Sequence, residues 1–189
     1  MNKDYLSMVT KDGWALRRIP MNERTYELCK IAVQTAALLE TDNQTILGEV
    51  PKELRNEDIC MLAVTRDGAA IREVPESVMS HELCYQAMFT NGKDLCLVPN
   101  QLRNEEVCTA AVCDDGEAIL YVPEELVTEN LWRIALRTRP DLVRKLPEQF
   151  CTNEMYVYLR RHTQKPETTI TDILRFMQEK FQNRNVIKG

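Results

Sequence analysis

Residues 102–126 read LRNEEVCTAAVCDDGEAILYVPEEL, and this stretch is one unit of a repeat that runs through most of the chain. Each unit is marked by a proline after a branched apolar residue: Ile19-Pro20, Val50-Pro51, Val74-Pro75, Val98-Pro99, Val122-Pro123 and Leu146-Pro147. The last five of these prolines are 24 residues apart, and the first gap is 31, which is 24 plus an insertion of 7. Self-similarity at a fixed period of this size is the signature of stacked-repeat architectures. One unit cannot bury its apolar face alone, and its neighbours bury it.

The physics of one unit predicts its elements. Five residues after each proline stands a side chain suited to cap a helix N-terminus: Thr25, Asn56, Ser80, Asn104, Thr128 and Thr152. Acidic residues follow, such as Glu57, Asp58, Glu82, Glu105, Glu106 and Glu129, where the helix dipole favours them. Apolar residues then recur at helical spacing, as at Val107, Ala111 and Val112. A column of small residues, Ala32, Ala63, Ala87, Ala111 and Ala135, lets neighbouring helices approach. Asp12-Gly13, Asp67-Gly68, Asn91-Gly92 and Asp115-Gly116 read as helix-ending turns with glycine at positive φ. A second short helix follows, for example Glu117 to Val122, and the proline ends it. The Pro-x-x-Leu turn then sends Leu54, Val78, Leu102, Leu126 and Phe150 toward the core. The expected fold is all-α: an α-solenoid of about six stacked 24-residue helix–turn–helix repeats.

In chain order, residues 1–20 register with later units through Val9, Gly13, Leu16 and Pro20. The insertion of 7 in the second unit predicts a helix that continues through Gln34 to Glu40, with the turn delayed to Asp42-Asn43. Units over 52–123 are regular, while Arg139-Pro140 replaces the Asp-Gly turn in the next one and Trp132 replaces a cysteine. After Pro166, Ile170, Ile173, Leu174, Met177 and Phe181 form an apolar stripe that predicts a C-terminal capping helix over about 171–182. The expected division is a solenoid over 1–166 and a cap and tail over 167–189, within one structural domain.

Composition narrows the setting. The N-terminal MNKDYLSM lacks the apolar run of a secretory signal, and no span approaches the ~20 apolar residues of a membrane helix. The expected location is the cytoplasm. Of 7 cysteines, Cys29, Cys60, Cys84 and Cys108 fall in one column. Helices ~8–10 Å apart place such neighbours beyond disulfide reach, so buried thiols are expected. Cys96, Cys113 and Cys151 lie outside the column and are candidates for exposure.

The units LRNEDICMLAVTRDGAAIREVP (54–75) and LRNEEVCTAAVCDDGEAILYVP (102–123) carry a family likeness. They resemble a bacterial helical-repeat family known only as a domain of unknown function. Its units read Leu-Arg-Asn-Asp-x-Glu-Val-Val-x-x-Ala-Val-x-x-Asn-Gly-x-Ala-Leu. Leu102, Arg103, Asn104, Ala111, Val112, Gly116 and Ala118 carry the match, which is strongest at 52–123 and covers about 1–147. Val-Pro here replaces the family's common Tyr-Ala-Ser, and the second unit and everything after 147 depart from it. The resemblance implies a scaffold in host-associated bacteria, whose members include secreted effectors. It therefore adds delivery to a host cell without a conventional signal peptide as an extension of the cytoplasmic assignment. It implies no activity and transfers no catalytic residue.

Three function classes remain on the sequence. The first is a non-catalytic scaffold or adaptor that binds another protein. Cys96, Leu97, Leu120 and Tyr121 stand just before Val-Pro in adjacent units, where the outer units carry charges such as Arg17-Arg18 and Arg144-Lys145. These four make a candidate protein-binding patch with a charged rim, unless the short helix rotates and buries them. The second is binding of nucleic acid or acidic lipid by a basic end. Residues 1–130 carry 12 Lys+Arg and 23 Asp+Glu, whereas 131–189 carry 12 and 6. Arg133, Arg137, Arg139, Arg144, Lys145, Arg160 and Arg161 are the candidate anion-binding residues. Few surface aromatics are interleaved with them, which disfavours nucleic acid. Ends of opposite charge also permit head-to-tail self-association. The third is an enzyme of unrecognised type. With His81 and His162 as the 2 histidines, and no phosphate loop, nucleophile elbow or metal motif, no catalytic residue, metal or cofactor is assigned and the chain is expected not to be an enzyme.

Overall fold

The computed structural model describes residues 3–37, 44–162 and Arg175. Over these the chain is helical, with no strand among the described residues. The α-helices are α1 (Lys3–Lys11), α2 (Tyr26–Thr35), α3 (Glu57–Arg66), α4 (His81–Met88), α5 (Glu105–Asp114), α6 (Glu129–Thr138) and α7 (Asn153–His162). Between consecutive α-helices lie a longer 3₁₀ segment and then, after the proline, a three-residue one; Gly116–Tyr121 and Glu124–Leu126 are the pair between α5 and α6. The predicted short helix is thus a 3₁₀ turn. Each α-helix packs against the next in sequence, from α1·α2 to α6·α7. No helix among the described residues is long and apolar enough to cross a membrane. The helix expected over 171–182 lies outside the described residues, apart from Arg175.

The caps form where the sequence placed them. Thr25, Asn56, Ser80, Asn104, Thr128 and Thr152 each accept the backbone N–H three residues on, at 2.9 to 3.4 Å. Behind each cap the same columns turn inward. Leu28, Ile59, Leu83, Val107, Leu131 and Met155 are buried, as are Cys29, Cys60, Cys84, Cys108 and Trp132. So are Val33, Val64, Met88, Val112 and Leu136 one turn later. From the 3₁₀ segments come Leu16, Leu47, Ile71, Leu95, Ile119 and Val143. A fully buried Leu, Ile or Val contributes about 1.5–3 kcal/mol, against about 0–1 kcal/mol for an exposed ion pair. The apolar columns therefore dominate cohesion between units.

The helix ends correct the positive-φ expectation. No described glycine has positive φ. Asp12, Asp67 and Asp115 begin the following 3₁₀ segment instead, and their carboxylates accept N–H bonds from Trp14, Ala69 and Glu117 at 2.9–3.0 Å. Glycine is required for space. A Cβ on Gly13, Gly68, Gly92 or Gly116 would lie inside 3.0 Å of the carbonyl oxygen of Ala32, Ala87, Ala111 or Ala135 respectively. Each of those alanines stands 19 residues after its glycine. The glycine and alanine columns are two halves of one contact between successive units.

The second unit corrects another expectation. The helix does not lengthen through Glu40: α2 ends at Thr35, and Ala36 is extended at φ −60, ψ 130. The exit is held by other parts of the chain. Trp14 Nε1 donates to Ala37 O at 2.8 Å, and Arg66 Nη2 donates to Ala36 O at 2.9 Å. The Asp42-Asn43 turn lies outside the described residues.

Candidate functional site

The four patch residues close two neighbouring 3₁₀ segments, Gly92–Leu97 and Gly116–Tyr121, which contact each other. Leu97 is 43% exposed, Leu120 39% and Tyr121 42%, and the Cys96 thiol is exposed. The short helix does not rotate them inward, because Leu95 and Ile119 already fill the core positions.

One side chain joins the two halves. Arg103 Nε donates to Val98 O at 2.8 Å, Nη2 to Cys96 O at 3.2 Å, and Nη1 across to Tyr121 O at 2.8 Å. A guanidinium presents rigid, divergent donors, so a single Arg holds three carbonyls. The device recurs. Arg55 donates to Val50 O, Gly48 O and Glu73 O at 2.9, 3.2 and 2.8 Å. Arg24 donates to Ile19 O at 2.8 Å and to Glu49 O. These arginines stand four residues after their prolines; Met79, Val127 and Cys151 hold that position elsewhere. Beside Leu120 and Tyr121 a shallow recess of about 440 Å³ is lined also by Asn100, Arg103 and Glu125.

The basic residues divide. Arg133 pairs with Glu129 at 2.6 Å and lies over the Tyr158 ring. Arg139 pairs with Glu117 at 3.2 Å, Asp141 at 3.3 Å and Asp115 at 3.7 Å. Both therefore spend charge inside the fold. Arg137, Arg144, Lys145, Arg160 and Arg161 are exposed.

Burial pushes the thiols of Cys29, Cys60, Cys84 and Cys108 up to about 11. Cys96 and Cys113 are exposed as expected, but Cys151 is buried, with its sulfur toward Leu146 O at 3.9 Å and Pro147 O at 3.6 Å. It occupies the arginine position of its unit. Among the described residues no group of His, Cys, Asp and Glu is placed to hold a metal ion.

A second surface was missed. Tyr85 of α4 and Phe89, the residue that caps its C-terminus, are 42% and 62% exposed. They line an open groove of about 1030 Å³ between α4 and α5, with Ala110, Glu105, Glu106 and Asp114 along the α5 side. The signal was present in the repeat. The positions equivalent to Tyr85 hold Lys30, Met61, Thr109, Arg133 and Val157, and those equivalent to Phe89 hold Gln34, Thr65, Cys113, Arg137 and Arg161. Two aromatics stand where other units are mostly polar.

Comparison with protein-family models, curated proteins and solved structures finds no match to this chain.

Proposed function

We propose that the chain is a small α-solenoid of about six stacked 24-residue units that acts as a non-catalytic protein-binding scaffold. The carrying observation is the exposure of Leu97, Leu120 and Tyr121 on neighbouring segments that Arg103 ties together. Apolar side chains on a braced backbone, with Glu125 and Arg103 at the edge, have the composition of a docking spot. Bracing lowers the ordering cost of binding. The family resemblance supports the scaffold reading and adds an effector-like role in a host-associated bacterium.

The test is affinity capture with quantitative mass spectrometry, comparing wild type with Leu97→Asp/Tyr121→Asp. A protein held by the wild type and lost from the folded variant supports the reading. Retention of every partner by a variant with an unchanged melting temperature refutes it. The exposure of Arg137, Arg144, Lys145, Arg160 and Arg161 supports a second reading, capture of acidic lipid or nucleic acid. That binding would weaken steeply with salt, and salt-insensitive binding would refute it.

A further inference from the structure

We infer that the groove between α4 and α5 docks a basic amphipathic helix of a partner protein. The inference rests on the scaffold reading but on none of the residues of the Leu97–Tyr121 patch. Tyr85 of α4 and Phe89, which caps that helix in α-helical backbone at φ −61, ψ −28, are four residues apart, so both project from one face. Phe89 is the most exposed large apolar side chain among the described residues, at 62%. Across from this pair, Ala110 of α5 leaves room for incoming side chains. A trough between two helices, with Tyr85 and Phe89 along one side and Ala110 opposite, suits a third helix that inserts side chains from one stripe.

The rim states the partner's charge. Glu105 and Glu106 open α5, and Asp114 closes it. No lysine or arginine lines the groove among the described residues. The acidic groups at the two ends of α5 are nine residues apart, or about 14 Å at a rise of about 1.5 Å per residue. A helix lying along the trough would meet them with basic residues about nine positions apart, on either side of its apolar stripe. Asp114 is held in place, since its Oδ2 accepts the Gly92 N–H at 2.7 Å and so ties the exit of α4 to the end of α5. The same charges repel phosphates, which disfavours a nucleic acid or an anionic membrane here.

The test uses the purified full chain and two fluorescein-labelled helical peptides, read by anisotropy. One carries leucines at i, i+4 and i+7 flanked by lysines; the other replaces every lysine by glutamate. The lysine peptide should bind at least tenfold tighter than the glutamate peptide. Phe89→Ser and Tyr85→Ser should each weaken it about tenfold. Glu105→Lys/Glu106→Lys should invert the preference, which a merely unfolded variant would not do. Leu97→Asp/Tyr121→Asp should leave it unchanged, so failure of the groove and failure of the patch are distinguishable. Equal binding of the two peptides overturns the inference, as does tight binding that survives Phe89→Ser. A dimer in sedimentation velocity that Phe89→Ser abolishes would also overturn it, by assigning the groove to a second copy of this chain.

Discussion

Gly92→Ala should destabilise the protein by about 3 kcal/mol, while Gly48→Ala should not destabilise it at all. A Cβ on Gly92 would lie 2.8 Å from Ala111 C and 3.0 Å from Ala111 Cα, and closer still to Ala111 O. All three are backbone atoms on the buried side of α5, so no flexible side chain can yield. Restoring ordinary contact separates the 3₁₀ segment from α5 by on the order of 1 Å, and a gap of ~0.5–1 Å forfeits a quarter to a half of each dispersion contact along that seam. Overpacking of this kind costs about 1–3 kcal/mol, and the upper end applies because both sides are backbone. For a chain of this length each kcal/mol lowers Tm by about 2–4 °C, giving a fall of about 6–12 °C. At Gly48 the added Cβ would meet only the Glu73 side chain, at 3.7–3.9 Å, so the reduced freedom of the unfolded chain should prevail and raise stability by about 0.4–1 kcal/mol. Urea denaturation with a thermal melt reads both. Asn separates the two possible roles of glycine at 92: it tolerates left-handed backbone better than Ala, yet it is larger. Gly92→Asn should be at least as damaging as Gly92→Ala. A Tm for Gly92→Ala within about 2 °C of wild type, or a clear rescue by Asn, would refute the close-approach account.

Arg55→Met should cost about 3 kcal/mol, because it strands three carbonyls and an ion pair with Glu73, and Arg103→Met should cost less because its side chain is more exposed; thermal melts that show no loss for Arg55→Met would contradict this. A thiol reagent at mildly alkaline pH should modify Cys96 and Cys113 rapidly, and the other five cysteines only on unfolding; rapid modification of more than two would contradict the burial. Folding favours the neutral form of Cys29, Cys60, Cys84 and Cys108, so their contribution is complete below the ordinary thiol value of 9.0 and is lost as pH rises toward about 11. The urea midpoint should fall across that interval more in wild type than in Cys84→Ala, and an equal fall in both would count against it.

What could be read from the chain was what is decided locally or periodically. The six caps need only a side chain and the amide three residues on, so Asn104 and Thr128 were legible one at a time. The buried columns follow from a period that survives from Leu28 to Met155. The misreadings involve atoms supplied from elsewhere. Asp115-Gly116 fits a turn with positive φ and equally a close approach, and only Ala135 of the next unit decides between them. The exit from α2 is held by Trp14 and Arg66, whose contacts with the carbonyls of Ala37 and Ala36 have no sequence signature. The role of Arg103 was hidden because its acceptors lie in two different turns. The exposure of Leu97, Leu120 and Tyr121 followed from asking which residues the core did not need. The same question put to the outward columns of the α-helices would have found Tyr85 and Phe89.

The arginines are not evenly spread, and so the joints between units differ in kind. Arg24, Arg55 and Arg103 fasten neighbours to backbone carbonyls, which do not titrate. Where Met79 and Val127 replace arginine, carboxylates serve instead: Arg72 reaches Asp94 at 2.6 Å, and Arg139 reaches Glu117 at 3.2 Å. Both are ion pairs, and the second is more than a third exposed on both sides and open to screening by salt. Salt therefore loosens the joint between α5 and α6 more than the joints that arginine fastens to carbonyls, while the buried columns still hold each unit to the next.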